Sequence, residues 1–358
     1  MTEPAAVSEA KRFLQVEGGY YDVGYQHGSA CKDEMKSFIQ DRHAQVSLLR
    51  ATPLDECELR QQLDGYLDRI ARERPDIAAE IYGLADGAGI EARQACLLQV
   101  RRELIGYRKI PTLGDCSTIA STGAAPFLAQ TVDLSGQMAD LSMVIRIDGR
   151  GRGTPDILMF TFKGLLGYLG MNSAGLCIGI NMVLSGEWGF GIPAYLAVRL
   201  MLECRSVEQC IALLSSLPLA SSRSFTLLDA KRLVMVEIVP GRVLVVPQDR
   251  PVAAHTNHFL NPQLARKDEI NILGRNSSLK RLTLLETYLA SRQEVPTAQG
   301  LMALLSSHDL YPDGLCVHNK GDLKREQSVA AVVMRPREGR MWVKFGQPCE
   351  SAAVEFRM

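Results

Sequence analysis

Cys116 is the residue whose surroundings most suggest covalent chemistry. It lies in the string LGDCSTIA (residues 113–120), after a loop-like stretch that contains Pro111 and before a small, hydroxyl-rich, β-prone run. If the chain were cut before Cys116, its thiol and the freed α-amino group would lie on one residue. A nucleophile and its base would then need no other side chain. The same residue can instead be a small buried hydrophobic side chain, the role we expect for the other eight cysteines.

A polar cluster, HTNHF (residues 255–259), follows a turn-rich segment. His255 and His258 are three residues apart and could bind a metal ion, but no acidic residue at ligand spacing accompanies them. Asn257 offers an amide N–H group to a developing oxyanion, and such stabilisation is usually the largest single catalytic contribution. Asn257 can also simply close a turn. The cluster is therefore a candidate oxyanion site, with a metal site and a turn as alternatives.

Asp133 interrupts an otherwise strand-like run, LAQTVDL (residues 128–134). A carboxylate at this place can hydrogen-bond to an ammonium group or orient a substrate amine, and it can equally lie at a strand end on the surface. The segment 170–176, GMNSAGL, is typical of a hairpin turn in which Asn172 and Gly175 adopt positive φ. Gly18, Gly24 and Gly28 frame the start of the first predicted helix and do not form a dinucleotide-binding motif.

Composition excludes several classes of function. Lysine plus arginine and aspartate plus glutamate each number 40, so the formal net charge is zero. Because no basic stripe is present, we expect no nucleic-acid partner. No apolar run approaches the length of a membrane span, and the first residues lack a signal-peptide pattern. We therefore expect a cytoplasmic protein without a membrane partner.

The nine cysteines are an odd, scattered set, which suits reduced thiols better than a disulfide framework. Cys204 and Cys210 are six residues apart without a second pair at zinc-ligand spacing. We therefore expect neither a metal site nor a bound cofactor.

The length of 358 residues allows one large or two modest domains. Hydrophobic periodicity predicts helices over 24–50, 54–71 and 92–107, and one that opens at Pro75 and is stopped by Gly87 and Gly89. Further helices are predicted at 194–202, 206–214, 277–290 and 297–305. Strands are predicted at 117–122, 126–132, 142–147, 157–162, 176–181, 225–228, 233–238, 243–246, 329–334 and 341–345. This order predicts an α+β fold with packed sheets and outer helices.

Together, these strings resemble the penicillin acyltransferase family of cysteine N-terminal-nucleophile (Ntn) hydrolases, related to isopenicillin N acyltransferase. The resemblance covers nearly the whole chain. The segments that carry it, in order, are GGYYDVGYQHG (18–28), EIYGLADGAG (80–89), CST (116–118), QTVD (130–133), GMNSAG (170–175), GIP (191–193) followed by Arg199, and HTNH (255–258).

The resemblance implies a four-layer αββα sandwich made as an inactive precursor. The chain would cut itself between Asp115 and Cys116, leaving a mainly helical α chain of residues 1–115 and a β chain of residues 116–358. The two would stay associated as one structural unit. Cys116 would then attack an amide or thioester, with its α-amino group as base, Asn257 at the oxyanion and Asp133 positioning the amine. The implied partner is a small N-acyl amide or acyl thioester, with acyl-CoA open as a substrate.

Two departures from the family pattern limit the resemblance. Asp115 stands where fungal members have glycine, and Val317 and His318 follow Cys316 where those members have an arginine. Loss of that guanidinium makes a penicillin nucleus an unfavourable substrate. Two other readings stay open: an unprocessed, non-catalytic relative that acts as a binding or scaffold protein, and a zinc hydrolase that uses His255 and His258.

Overall fold

The computed structural model describes residues 12–41, 46, 54–106, 116–186, 188–248, 250–291, 294–319, 321 and 326–358. Most of the second half of the first predicted helix, together with Asp115 and the loop predicted before it, lies outside the described residues. Within the described part, no helix is both long and apolar enough to span a bilayer.

The first third of the chain is mostly helical, and the remainder is rich in strands. The strands are β1 Phe13–Val16, β2 Thr118–Ser121, β3 Phe127–Ser135, β4 Ser142–Ile147, β5 Ile157–Phe162, β6 Leu169–Asn172, β7 Cys177–Asn181, β8 Arg223–Leu228, β9 Leu233–Val239, β10 Arg242–Val245, β11 Val252–His255, β12 Glu326–Arg335, β13 Arg340–Phe345 and β14 Ala353–Arg357. The helices are α1 Tyr20–Ala30, α2 Lys32–Gln40, α3 Glu56–Glu73, α4 Pro75–Ala88, α5 Ala92–Ile105, α6 Ala194–Met201, α7 Val207–Ser216, α8 Pro262–Ala265, α9 Ile272–Ala290 and α10 Ala298–Leu305.

The strands form two sheets. One has eight strands in the order β1-β4-β5-β6-β7-β8-β9-β10, and the other has six in the order β11-β2-β3-β12-β13-β14. All neighbours are antiparallel except β1 and β4, which are parallel. Strand β1, Phe13–Val16, thus adds an edge to the larger sheet from the otherwise helical N-terminal segment.

The alternation of side chains along β3 shows how the layers stack. Leu128 and Val132 join the core shared by both sheets and by the helices of residues 20–105, whereas Phe127 and Ala129 join a second core under α9 and α10. Successive side chains of a strand point to opposite faces, so β3 has one layer on each side. The order of layers is therefore helices, eight-stranded sheet, six-stranded sheet, helices. The predicted αββα sandwich is confirmed.

The crossing of α1 and α4 explains several glycines. An added Cβ atom at Gly24 would lie 2.0 Å from the Glu80 carbonyl oxygen, and one at Gly28 would lie 2.2 Å from the Leu84 carbonyl. On the facing helix, a Cβ at Gly87 would lie 2.1 Å from the Tyr25 carbonyl oxygen. These glycines let the two backbones touch, a use quite different from capping.

Some local predictions were wrong. Gly87 lies within α4, which ends at Gly89 with φ +61°, and Gly24 and Gly28 lie within α1. The first long helix is two helices, because the backbone leaves the helical conformation at Cys31. Gly175 has the positive φ expected of the hairpin, but Asn172 belongs to β6. Strands β1, β6, β11 and β14 were not predicted.

Candidate active site

Cys116 lies two residues before the start of β2. Its side chain is 5% exposed, and its Sγ atom is 3.8 Å from the hydroxyl oxygen of Tyr168. Strand β2 pairs with β11 in a register that places Thr118 opposite His255. Because the strands are antiparallel, the residue two positions before Thr118 and the residue two positions after His255 lie at the same end of the pair. This register brings Cys116 and Asn257 to one end of the sheet.

The main-chain carbonyl of Cys116 is held by two side chains from other layers. Asn181, at the end of β7 in the opposite sheet, donates from Nδ2 at 2.9 Å, and Arg281 on α9 donates from Nη1 at 3.3 Å. The hydroxyl of Thr118 donates to Asn181 Oδ1 at 2.7 Å, which fixes the orientation of that amide. The backbone next to the thiol is thus held by contacts from the opposite sheet and from helix α9.

Arg281 links Cys116 to Asn257. Its guanidinium is fully buried and donates to the Ser117 hydroxyl at 2.7 Å and, through Nη2, to Asn257 Oδ1 at 2.9 Å. A guanidinium only donates, so the atom facing it must be the amide oxygen of Asn257. The amide nitrogen Nδ2 consequently faces the other way, where it donates to the Met182 carbonyl at 3.1 Å. The backbone N–H of Asn257 donates to Ser278 Oγ at 2.8 Å.

Asp133 lies near the end of β3 and is fully buried. Its register partner on β12 is Ser328, whose hydroxyl donates to Asp133 Oδ1 at 2.6 Å. Asp133 and Cys116 line the same pocket. The carboxylate predicted at a strand end therefore lies inside the molecule, facing the same cavity as the thiol.

His255 and His258 are occupied by other contacts. His255 places Nε2 2.9 Å from Glu237 Oε1 and Nδ1 2.8 Å from the Thr256 carbonyl oxygen, so both ring nitrogens face acceptors. His258 Nδ1 is 2.7 Å from Ser278 Oγ, and burial lowers the pKa of His258 to about 4. Because neither nitrogen of His255 is available to a cation, the paired-histidine metal site is ruled out at this place.

The pocket beside Cys116 holds about 1070 Å³ of empty space, counting the part that opens to solvent. One wall is apolar and aromatic. Tyr168 lies edge-on to Phe162, with ring centres 5.2 Å apart, and stacks on Tyr195 at the same separation. Leu98, Leu141 and other aliphatic side chains complete this wall. It suits an alkyl or aryl group bound close to the thiol.

The remaining lining is charged, with more basic than acidic side chains. Four basic side chains line the pocket against two acidic ones; they are Arg101, Arg102, Lys163 and Arg223, with Asp133 and Glu326. Lys163 pairs with Glu34 at 2.5 Å, and Arg223 Nη2 is 3.9 Å from Glu103 Oε1. Burial lowers the pKa of Arg101 to about 10, which leaves it cationic at neutral pH. The pocket therefore combines an apolar surface with positive charge.

Sequence patterns indicated Cys116, Asp133 and Asn257 but did not indicate Arg281, Asn181 or Ser328. A signal for Arg281 exists, because it lies on the buried face of α9 at helical spacing from Ser277 and Leu285. A charged residue within such a stripe is buried only when it is paired. Asn181 and Ser328 carry no comparable signal, since their roles depend on which strands face each other.

The four-layer αββα sandwich is the fold of the N-terminal-nucleophile class to which the resemblance pointed. The chain belongs to the acyl-coenzyme A:6-aminopenicillanic acid acyl-transferase family, whose profile matches residues 121–350. It is 27% identical over 337 residues to the acyl-coenzyme A:6-aminopenicillanic-acid-acyltransferase 40 kDa form of Emericella nidulans, covering 93% of this chain and 92% of that protein. This membership supports an enzyme that transfers acyl groups.

Two solved structures are similar in shape. A single-residue variant of a conjugated bile acid hydrolase from Clostridium perfringens matches with a TM-score of 0.47 and 10% identity, over 68% of this chain and 97% of that one. Penicillin V acylase from Agrobacterium tumefaciens matches with a TM-score of 0.40 and 11% identity, over 68% of this chain and 86% of that one.

Proposed function

We propose that this protein is a self-processing cysteine amidohydrolase or acyltransferase that acts on a small N-acyl compound through an acyl-enzyme on Cys116. The observation that carries the proposal is the position of the Cys116 thiol, in a pocket that Asp133 also lines. A thiol and an α-amino group titrate at about 8.5 and about 7.7–8.0, so both are close to the useful range near neutrality. The residue would thus supply its own general base once its amino group is free.

Maturation is the first step of the proposal. The Cys116 thiol attacks the carbonyl carbon of Asp115, and the peptide nitrogen leaves that carbon as the α-amino group of Cys116. Water then hydrolyses the resulting thioester, which frees the thiol and leaves a carboxylate on Asp115. The contacts of Asn181 and Arg281 with the Cys116 carbonyl support this step, because they fix the backbone that must hold still while the bond breaks.

In turnover the thiol attacks the substrate carbonyl, and the amino group of Cys116 takes the thiol proton and passes it to the leaving amine. The Asn257 amide has two N–H bonds, one of which points to the Met182 carbonyl. The second can stabilise the oxyanion, since Arg281 holds the amide in the required orientation. Asp133, held by Ser328, positions the α-amino group or the amine. Water or an acceptor amine then takes the acyl group from Cys116.

The lining of the pocket narrows the class of substrate. The aromatic wall suits the acyl group, and the cationic side chains Arg101 and Arg102 on α5 suit a carboxylate or phosphate elsewhere in the same molecule. We therefore infer an amide or thioester that carries a negative charge. Arg101 and Arg102 could bind an anionic group although the family's arginine after Cys316 is absent. Acyl thioesters that carry phosphate groups therefore belong to the proposed class of anionic substrates.

The test compares N-acyl amides and acyl thioesters that differ only by a carboxylate or its methyl ester. We expect the anionic member of each pair to be turned over with the lower KM, and its acyl group to appear on the Cys116-containing peptide in a quenched reaction. Arg102→Gln should raise KM for the anionic member alone, whereas Arg60→Gln, at an exposed pair with Glu56, should change nothing. Acylation of another residue, or equal KM values for both members, would contradict the proposal.

A further inference from the structure

Two histidines and two cysteines converge at a place remote in sequence from Cys116. They are His308, Cys316, His318 and Cys349, and one ligand atom from each lies within 4.8 Å of the other three. His308 Nε2 is 3.0 Å from His318 Nε2, and that same nitrogen of His318 is 3.6 Å from Cys316 Sγ and 3.3 Å from Cys349 Sγ. Four soft or borderline ligand atoms thus lie together in one cluster.

The spacing of these atoms matches a tetrahedral zinc ion. With Zn–N bonds of about 2.0–2.1 Å and Zn–S bonds of about 2.3 Å, the edges of the tetrahedron are roughly 3.3 Å between two nitrogens and roughly 3.5 Å between nitrogen and sulfur. The distances in the protein, 3.0 Å for the nitrogen pair and 3.3 and 3.6 Å for the two mixed pairs, lie close to these edges. Three of the six edges thus match a zinc site, and the other three pairs of ligand atoms lie within 4.8 Å.

Charge and coordination number point the same way. Two thiolates and two neutral imidazoles balance the charge of Zn²⁺, so the occupied site would be neutral overall. Four protein ligands complete a tetrahedron and leave no position for water or substrate, which is the arrangement of a structural site. We propose that His308, Cys316, His318 and Cys349 bind one zinc ion that fixes the segment 308–318 to the loop after β13.

Sequence patterns predicted no metal site, because the four residues are spread along the chain. His308 follows α10, Cys316 and His318 are separated by one residue, and Cys349 comes from the far side of β12 and β13. Zinc spacing in a sequence is recognised by close pairs, usually of two cysteines. Only the meeting of these two loops beside the six-stranded sheet creates the set.

The site also connects to the pocket. The hydroxyl of Ser328 donates to Asp133 Oδ1. The Ser328 hydroxyl oxygen accepts a hydrogen bond from the backbone N–H of Val317 at 2.9 Å, and the backbone N–H of Ser328 donates to the Val317 carbonyl at 2.9 Å. Val317 lies between Cys316 and His318, so zinc would hold the strand-like contact that positions the Ser328 hydroxyl. Loss of the ion should therefore loosen the support of Asp133 as well as lower stability.

The experiment measures metal content and cobalt spectra on the untagged full-length protein, reduced and freed of loosely bound metal. We expect one zinc ion per chain after expression with zinc, and a tetrahedral thiolate–cobalt spectrum after exchange with Co²⁺. Cys349→Ser, at the surface, and His318→Gln should each lose both signals, while Cys57→Ser, at an exposed cysteine on α3, should keep them. A chelator should lower the melting temperature of the wild type and leave that of Cys349→Ser unchanged.

The same measurements are made on Cys116→Ala, so that metal binding is judged independently of catalysis. Wild-type protein that shows neither zinc nor a cobalt spectrum would overturn the proposal. Full zinc content in Cys349→Ser and in His318→Gln would overturn it too, because the ion would then be bound by other residues.

Discussion

Arg281 and Cys116 are joined across two layers of the fold, since the guanidinium Nη1 on α9 donates to the Cys116 carbonyl at 3.3 Å. The same guanidinium donates to Asn257 Oδ1 at 2.9 Å. One buried cation therefore fixes both the backbone of the candidate nucleophile and the orientation of the candidate oxyanion donor. Arg281 is therefore a positioning residue that couples the placement of Cys116 to that of Asn257.

Arg281→Lys should reduce kcat while leaving KM for the amide nearly unchanged. Lysine keeps the charge but loses the planar fork that reaches Cys116 and Asn257 at once. Hydrogen bonds to charged groups contribute roughly 1.5–3 kcal/mol, so we expect a loss of about ten- to a hundredfold in steady-state kinetics. Lys280→Ala is the matched control and should behave as wild type. Lys280 lies beside Arg281 on α9, and its exposed side chain pairs with Asp313. A rise in KM alone would show that Arg281 serves substrate binding.

Asn257→Ala should lower the rate of turnover, of maturation, or of both by about 10²–10³-fold, the usual effect of removing an oxyanion donor. Asn257→Asp is the informative second variant, because it keeps the shape and the contact with Arg281 but places a negative charge beside the oxyanion. Both variants are compared by kcat and by the fraction of cleaved chain over time. Wild-type kinetics in Asn257→Ala would mean that the residue only closes the turn after β11.

Asp133→Asn should impair kcat more than folding. The amide can still accept the Ser328 hydrogen bond at the Oδ1 position, so the melting temperature should change little. Loss of the carboxylate charge should lower kcat by about a hundredfold and move its acidic pH limb, because the charge orients a protonated amine. Ser328→Ala, which removes the hydroxyl donor but keeps the carboxylate, should give a smaller loss. A lowered melting temperature with unchanged kcat in Asp133→Asn would assign the residue to structure alone.

Stability should fall as the pH is lowered from about 6.5 to about 4, the interval between the unfolded and folded pKa values of two buried histidines. Burial lowers the pKa of His27 to about 4, and His27 Nε2 accepts the Gly164 N–H at 3.0 Å, which requires the neutral ring. His258 has a pKa lowered to about 4 for the same reason. In that interval the unfolded chain binds protons that the folded chain excludes, so acid favours unfolding.

The His27 contribution is measured by denaturant unfolding across that pH range. We expect His27→Gln to reduce the slope of the free energy of unfolding by about 1.4 kcal/mol per pH unit, the value for one proton. A slope that stays as steep as in the wild type would show that other groups titrate there.

Periodicity and the resemblance predicted the αββα architecture and the boundaries of strands such as β4 and β5, because these strands are mostly apolar segments between turn residues. What they could not predict depends on partners distant in sequence. Gly87 was interpreted as a helix stop, but its lack of a side chain serves the close approach of Tyr25 on α1. Strand β1 forms only because β4 offers it an edge.

The same distinction holds for the candidate site. Asn257 and Cys116 could be selected from local strings, and the pairing of β2 with β11 explains why those strings meet. Asn181 and Ser328 are ordinary strand residues whose polar groups gain meaning only from the opposite sheet or the neighbouring strand. The proposed zinc ligands lie on two loops that β12 and β13 separate in sequence, and no periodic pattern predicts that these loops meet.

An intact-mass spectrum of freshly purified protein under denaturing conditions shows whether Cys116 becomes a new N-terminus. We predict two polypeptides whose masses correspond to residues 1–115 and 116–358, the larger beginning at Cys116 by N-terminal sequencing, and a single uncut chain for Cys116→Ala. A single uncut chain in the wild type as well would contradict the account and favour a non-catalytic relative that binds its ligand without cleaving itself.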